Sequence, residues 1–138
     1  MEQREYLLIK LGRQYLYDFY NEHIALIKQY GYVDLAVFTS RRPVVSRYER
    51  TMYIKEADNN GGRLFGANIM CQLDSGEIFP EYYKEIQHKR VVWIRISALY
   101  EVNIQSIDND YTTKTGKSII SVLKASTPYF GMIKKQEA

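Results

Sequence analysis

Cysteine, proline, histidine and tryptophan are all scarce in this chain of 138 residues. Its one cysteine, Cys71, excludes an internal disulfide and any cysteine-rich zinc site. The two histidines, His23 and His88, lie far apart and form no ligand motif. Hydrophobic runs are short, and none approaches the roughly 20 residues that a membrane span needs. The opening MEQREYLLIK carries charges where a signal peptide has an unbroken apolar stretch, so the expectation is a soluble, cytoplasmic protein with no membrane contact. Eight glycines and three prolines are too few for collagen-like or low-complexity character, and 46% hydrophobic content is ordinary for a packed core. The length suits one domain over residues 1–138.

Charge is present in both signs but unevenly placed. The net is +3, and it divides into −1 over residues 1–38, +3 over 39–63, −3 over 64–110 and +4 over 111–138. Two basic segments flank an acidic one. They would make a polyanion-binding face if the fold brought them together.

Periodicity places the elements. Tyr6 to Leu11 reads as a buried strand ended by Gly12. Apolar residues recur every three or four positions over 13–30, which predicts an amphipathic helix closed by Gly31. Residues 33–39 read as a strand, and 40–50 as a loop or short helix interrupted by Pro43. Strands at 51–57 and 63–73 flank Asp58-Asn59-Asn60-Gly61-Gly62, a strong turn signal because Asn and Gly tolerate positive φ. Gly66 within the second strand predicts a bulge or a close backbone approach. Residues 74–90 form a polar, aromatic loop. Residues 91–97 are the clearest strand, 98–107 read as its continuation into another strand or edge, and 108–115 as loop. A short helix follows at 118–124, with Thr115 or Ser118 as its cap, then a closing strand. This order predicts an α+β fold: a curved, mostly antiparallel sheet or a small β-barrel with flanking helices.

Few motifs point to catalysis. Thr115-Gly116-Lys117-Ser118 matches the end of a phosphate-binding loop, but Tyr111 stands where the motif needs glycine, so a helix start is expected. Ser121-Val122-Leu123-Lys124 has Ser-x-x-Lys spacing without its companion motifs. The pairs Glu81/Glu85 and Asp108/Asp110 sit in polar segments. Cys71 reads as a small buried hydrophobe. Two loops combine bases with aromatic rings. One holds Arg41, Arg42, Arg47 and Arg50 beside Phe38 and Tyr48. The other holds Phe79, Tyr82 and Tyr83 before His88, Lys89 and Arg90. Guanidinium groups fork onto phosphates, and rings stack on unpaired bases. Packing of those rings into the core is the alternative.

The run Tyr6-Leu7-Leu8-Ile9-Lys10, followed by a helix, resembles the first strand of YTH and EVE domains of the PUA-like superfamily. Tyr53-Ile54-Lys55 through Asn60-Gly61-Gly62-Arg63-Leu64-Phe65-Gly66-Ala67 resembles their hairpin. Lys89-Arg90-Val91-Val92-Trp93-Ile94-Arg95-Ile96 resembles the strand after their long loop, and Thr113 to Lys124 their polar stretch and short helix. The resemblance spans about residues 5–125 in order and spacing. It implies a PUA-like fold that binds RNA or DNA without catalysis and holds a base, modified or not, in a pocket of rings. YTH domains hold N6-methyladenine in this way, and EVE domains are linked to modified bases. By position, Phe38, Thr39 and Ser40 would line one wall, Asn60 would lie near a polar position, and Phe79, Tyr82 and Tyr83 would supply another wall. Arg41, Arg42, Arg47, Lys89 and Arg90 would meet the backbone. Cage walls in the methyl-adenine readers are largely tryptophan, whereas Trp93 here matches a strand position.

No cofactor and no metal is expected. Two other readings stay open: a protein-interaction module, such as a small viral or defence-related protein rich in tyrosine, and a small nuclease using Asp34 or Glu49.

Overall fold

The computed structural model describes residues 4–12, 18–38, 42–58, 61–85 and 91–135. Seven strands form one mixed sheet: β1 (Tyr6–Lys10), β2 (Val33–Phe38), β3 (Thr51–Lys55), β4 (Leu64–Leu73), β5 (Val91–Val102), β6 (Tyr111–Thr112) and β7 (Tyr129–Lys134). Their order is β2-β5-β4-β3-β1-β7-β6. All neighbours pair antiparallel except β1 and β3. Three helices are α1 (Phe19–Tyr30), α2 (Ile104–Asp110) and α3 (Ile119–Leu123). The α+β expectation holds. The sheet is open, with β2 and β6 at its edges, and does not close into a barrel.

Local chemistry explains the boundaries. Asp18 starts α1 by accepting a hydrogen bond from the Asn21 amide, and Gly31 ends it at φ 86°. The β3–β4 turn places Gly61 and Gly62 at φ 116° and 66°, the region the Asn/Gly signal calls for. The buried Glu56 carboxylate locks that turn, accepting from the Arg63 amide at 3.0 Å and its Nε at 2.8 Å. Ser118 caps α3 through the Ser121 amide, so the Gly-Lys-Ser run is a helix start.

Two expectations need correction. The strand reading of 98–107 holds as far as Val102, where β5 ends. Residues 104–110, read as strand and then loop, form α2, capped by Asn103 on the Ser106 amide. Val102 and Ile104 alternate with polar residues as strand positions do, and the cap overrides that pattern. The other concerns Cys71, which is exposed. The β4–β5 register slips between Ile69 and Cys71, where β4 has an extra residue, Met70. This bulge resets the inward–outward alternation and turns Cys71 outward. Gly66 is instead a close approach: a Cβ there would lie 2.5 Å from the Tyr100 ring.

Both sheet faces are covered. Leu7, Ile9, Leu35, Ile54 and Ile94 pack on one side with Phe19 and the apolar stripe of α1. On the other, Leu8, Tyr53, Leu64 and Met132 pack with Ile107 of α2 and Ile119 of α3. Each fully buried aliphatic side chain contributes about 1.5–3 kcal/mol. The sheet curls: Tyr53 and Tyr111, three strand spacings apart, bring their hydroxyls within 3.1 Å. No described helix is long and apolar enough to cross a membrane.

Strand directions decide what meets at each end. The starts of β1, β3, β5 and β6 and the ends of β2, β4 and β7 lie at one end of the sheet.

Candidate nucleic-acid interface

That end gathers the two basic segments of the sequence. Arg4, just before β1, donates through Nη2 to the carbonyls of Ser46 and Tyr48, each at 2.6 Å. The Glu49 amide donates to the Glu5 carbonyl at 2.8 Å, so the arginine-rich loop before β3 is stitched to the start of β1. From the other basic segment, Lys114 reaches the Glu5 carboxylate at 3.6 Å, and Lys134 lies 5.6 Å from the Tyr6 ring centre. Continuing the β1–β7 register, with Tyr6 opposite Met132, sets Arg4 opposite Lys134. Arg42 donates to the Val91 carbonyl at 3.2 Å, at the same end. Arg47 and Arg50 are exposed and form no ion pair among the described residues. Among the described residues, the acids next to these strand ends are Glu5, already facing Lys114, with Glu49, Asp74 and Asp110.

At the opposite end Lys10, Lys55 and Arg63 are engaged internally, while Lys28 and Lys124 are exposed and form no ion pair among the described residues. Lys10 donates to the Leu123 and Ala125 carbonyls at the end of α3, and burial beside Lys55 lowers its pKa. Lys55 pairs with Asp58 at 3.0 Å and Arg63 with Glu56 at 2.8 Å.

At the basic end a depression of about 440 Å³ opens between the loop before β3 and the β4 bulge. Its lining includes Arg4, Tyr48, Glu49, Arg50, Met70 and Gln72. The Gln72 carbonyl oxygen accepts from the Val45 amide at 3.1 Å, and the Ile69 amide donates to the Arg50 carbonyl at 2.7 Å, so both walls are tied together. Met70 is 47% exposed at the rim because it is the bulged residue. Burial, with the Glu5 carboxylate adding, pushes the Tyr48 phenol above its ordinary pKa, so it stays a neutral hydroxyl.

Of the residues singled out from the sequence, Arg42 and Arg47 lie at this end. Thr39, Ser40, Arg41, Asn60, Lys89 and Arg90, with the Phe38 side chain, lie outside the described residues. Phe79, Tyr82 and Tyr83 do come together, and with Trp93, on the β2–β5 side of the sheet. Ring centres are 5.2 Å apart for Phe79–Trp93, 6.0 Å for Tyr83–Trp93 and 4.9 Å for Tyr82–Tyr83. Tyr82 and Tyr83 are buried, at 7% and 2% exposure, and Phe79 is half-buried. The Tyr83 hydroxyl donates to His23 Nε2, and His23 Nδ1 donates to the Phe19 carbonyl at 2.7 Å. In this packing the rings act as core.

The acidic candidates do not converge. Asp34 is fully buried on β2, and Glu49 lies beside β1, four strands away in the sheet order. Asp34 accepts from Arg95 Nε at 2.7 Å and Nη2 at 3.1 Å, and from the Glu77 and Ile78 amides at 2.8 and 3.2 Å. Glu81 pairs with Lys84 on the surface, and Asp108 caps the Ile120 amide at 3.1 Å. Among the described residues no cluster of His, Cys, Asp and Glu is arranged to hold a metal.

Arg4, Met70, Gln72 and Lys134 carry no signal in the sequence that marks them as site residues, whereas Tyr48 and Arg50 belong to the arginine-rich loop. Their convergence depends on β1 pairing with both β3 and β7, and nothing in the local sequence signals it. No family model, curated protein or solved structure matches this chain.

Proposed function

We propose that this chain is a non-catalytic nucleic-acid-binding domain that grips the phosphate backbone with the basic end of its sheet. The observation that carries this reading is the meeting of the two basic segments at Arg4 and Glu5, with Arg47 and Arg50 facing solvent beside them. Guanidinium groups with no internal acid to satisfy them are suited to forked hydrogen bonds with phosphate oxygens, and binding releases condensed counterions. Asp34, the buried acid that a nuclease would need, already balances Arg95.

The PUA-like relationship belongs to the same proposal. It is supported by the opening of β1 followed by α1, by the Asn/Gly hairpin between β3 and β4, and by Trp93 on the strand after the long loop. A base entering among Phe79, Tyr82 and Tyr83 would have to displace packed rings, so backbone contact at the basic end is the primary interaction.

The test is binding of short fluorescent RNA and DNA oligonucleotides, read by polarisation across a salt series. If about four phosphates are neutralised, log K falls against log salt with a slope of about −3. Absence of binding even at low salt would overturn the proposal.

A further inference from the structure

We propose that the depression between the loop before β3 and the β4 bulge takes one unpaired nucleotide, so that the domain selects single-stranded nucleic acid over duplex. The inference rests on the nucleic-acid reading and deepens it. A volume of about 440 Å³ lies within the range of roughly 300–1,000 Å³ typical of small-ligand sites. The site is concave, and a concave site admits a base only after that base has left its stack. Duplex recognition usually inserts a helix or ribbon into a groove about 12 Å wide. The described elements at this end are instead loops around a hollow.

The walls suit a nucleotide. Tyr48 supplies a half-buried ring, and Met70 a polarisable thioether held outward by the bulge. Both are sequence-tolerant partners for a base face. The Gln72 amide is anchored through its oxygen on Val45, which leaves its NH2 group as a donor for a base carbonyl. The Glu49 carboxylate is an acceptor for a base amino group. Arg50 lines the same depression, and Arg47 lies nearby on the loop, where the phosphates on either side of the inserted base would run.

Cys71, the sole cysteine, is exposed in the lining and serves as a reporter. Its alkylation rate by N-ethylmaleimide would be measured with a single-stranded oligonucleotide of about 15 nucleotides and with the matching duplex. Each would be present at about ten times its own Kd, as read by polarisation. The single strand should slow alkylation about tenfold by mass action. The duplex should bind more weakly and leave the rate unchanged when bound. Alkylated protein should, in turn, lose its preference for the single strand. A bound single strand that leaves Cys71 fully reactive, or a duplex that binds equally and protects equally, would overturn this inference while leaving the nucleic-acid reading intact. Failure of both oligonucleotides to bind would overturn the two together.

Discussion

Replacing Asp34 by Asn should destabilise the fold by about 3–5 kcal/mol, the cost typical of breaking one side of a buried ion pair. Asp34 is fully buried and Arg95 is half-buried on the neighbouring strand, directly opposite in register. Burial alone would raise the Asp34 pKa. The Arg95 guanidinium and the Glu77 and Ile78 amides more than offset it and hold the carboxyl below its ordinary value. The carboxylate also accepts from those amides, fastening the loop after β4 along edge strand β2, whose Asp34 amide returns a bond to the Ile78 carbonyl at 2.7 Å. Asn keeps the shape but leaves Arg95 without its partner, with only Glu77 at 3.9 Å and the Tyr32 ring at 4.1 Å beside it. Thermal unfolding should therefore shift down by on the order of 10 °C. The paired change Asp34→Leu with Arg95→Met should recover only part of the loss, since the two amides still lack an acceptor. A pKa depressed in the folded state stabilises above the unfolded value near 4, and that contribution fades as pH falls through the folded value. A D34N protein that melts with the wild type would refute this account of the edge.

His23 should make stability fall with acid in a different window. Its ring is fully buried, and that burial lowers its pKa to about 4, with the Phe19 carbonyl opposing the shift. The neutral ring accepts from Tyr83 at Nε2, so protonation would both bury a charge and lose an acceptor. The unfolded chain binds the proton near pH 6.5, and the folded chain only near 4. Between those values the unfolded state holds more protons, so stability declines as pH falls. The full loss is about 3 kcal/mol, of which about 2 kcal/mol is gone by pH 5. Chemical denaturation of wild type and His23→Phe at pH 7 and pH 5 checks this. The difference in stability between the two proteins should shrink toward pH 5. A constant difference would show that His23 does not titrate on unfolding.

Much of the fold was legible because its signals are local. The apolar period of α1, the glycines of the Asp/Asn/Gly turn and the Ser118 cap each arise within a few residues. The period runs over 13–30, but Asp18 caps the helix so that α1 begins only at Phe19, and 13–17 lie outside the described residues. The α2 helix was hidden because Val102-Asn103-Ile104 alternates like a strand while Asn103 is a cap. Cys71 was misplaced because one extra residue, Met70, reverses a two-residue period. The rings at Phe79, Tyr82 and Tyr83 were recognised as a set, but composition does not say whether a set of rings faces inward. Trp93, one residue of a strand, gives them a surface to cover. The depression could not be read at all, since its walls come from Arg4, the segment before β3 and the end of β4, joined through strand pairing.

We expect the basic end, and not net charge alone, to bind nucleic acid. Two charge-matched double reversals separate these. Arg47→Glu with Arg50→Glu alters the basic end. Lys28→Glu with Lys124→Glu alters exposed residues at the end of α1 and beside the end of α3, away from it. Binding of a short single-stranded oligonucleotide should weaken at least about tenfold in the first protein, with the salt slope reduced by about 1.5, and change about twofold or less in the second. Equal weakening in both would contradict the claim.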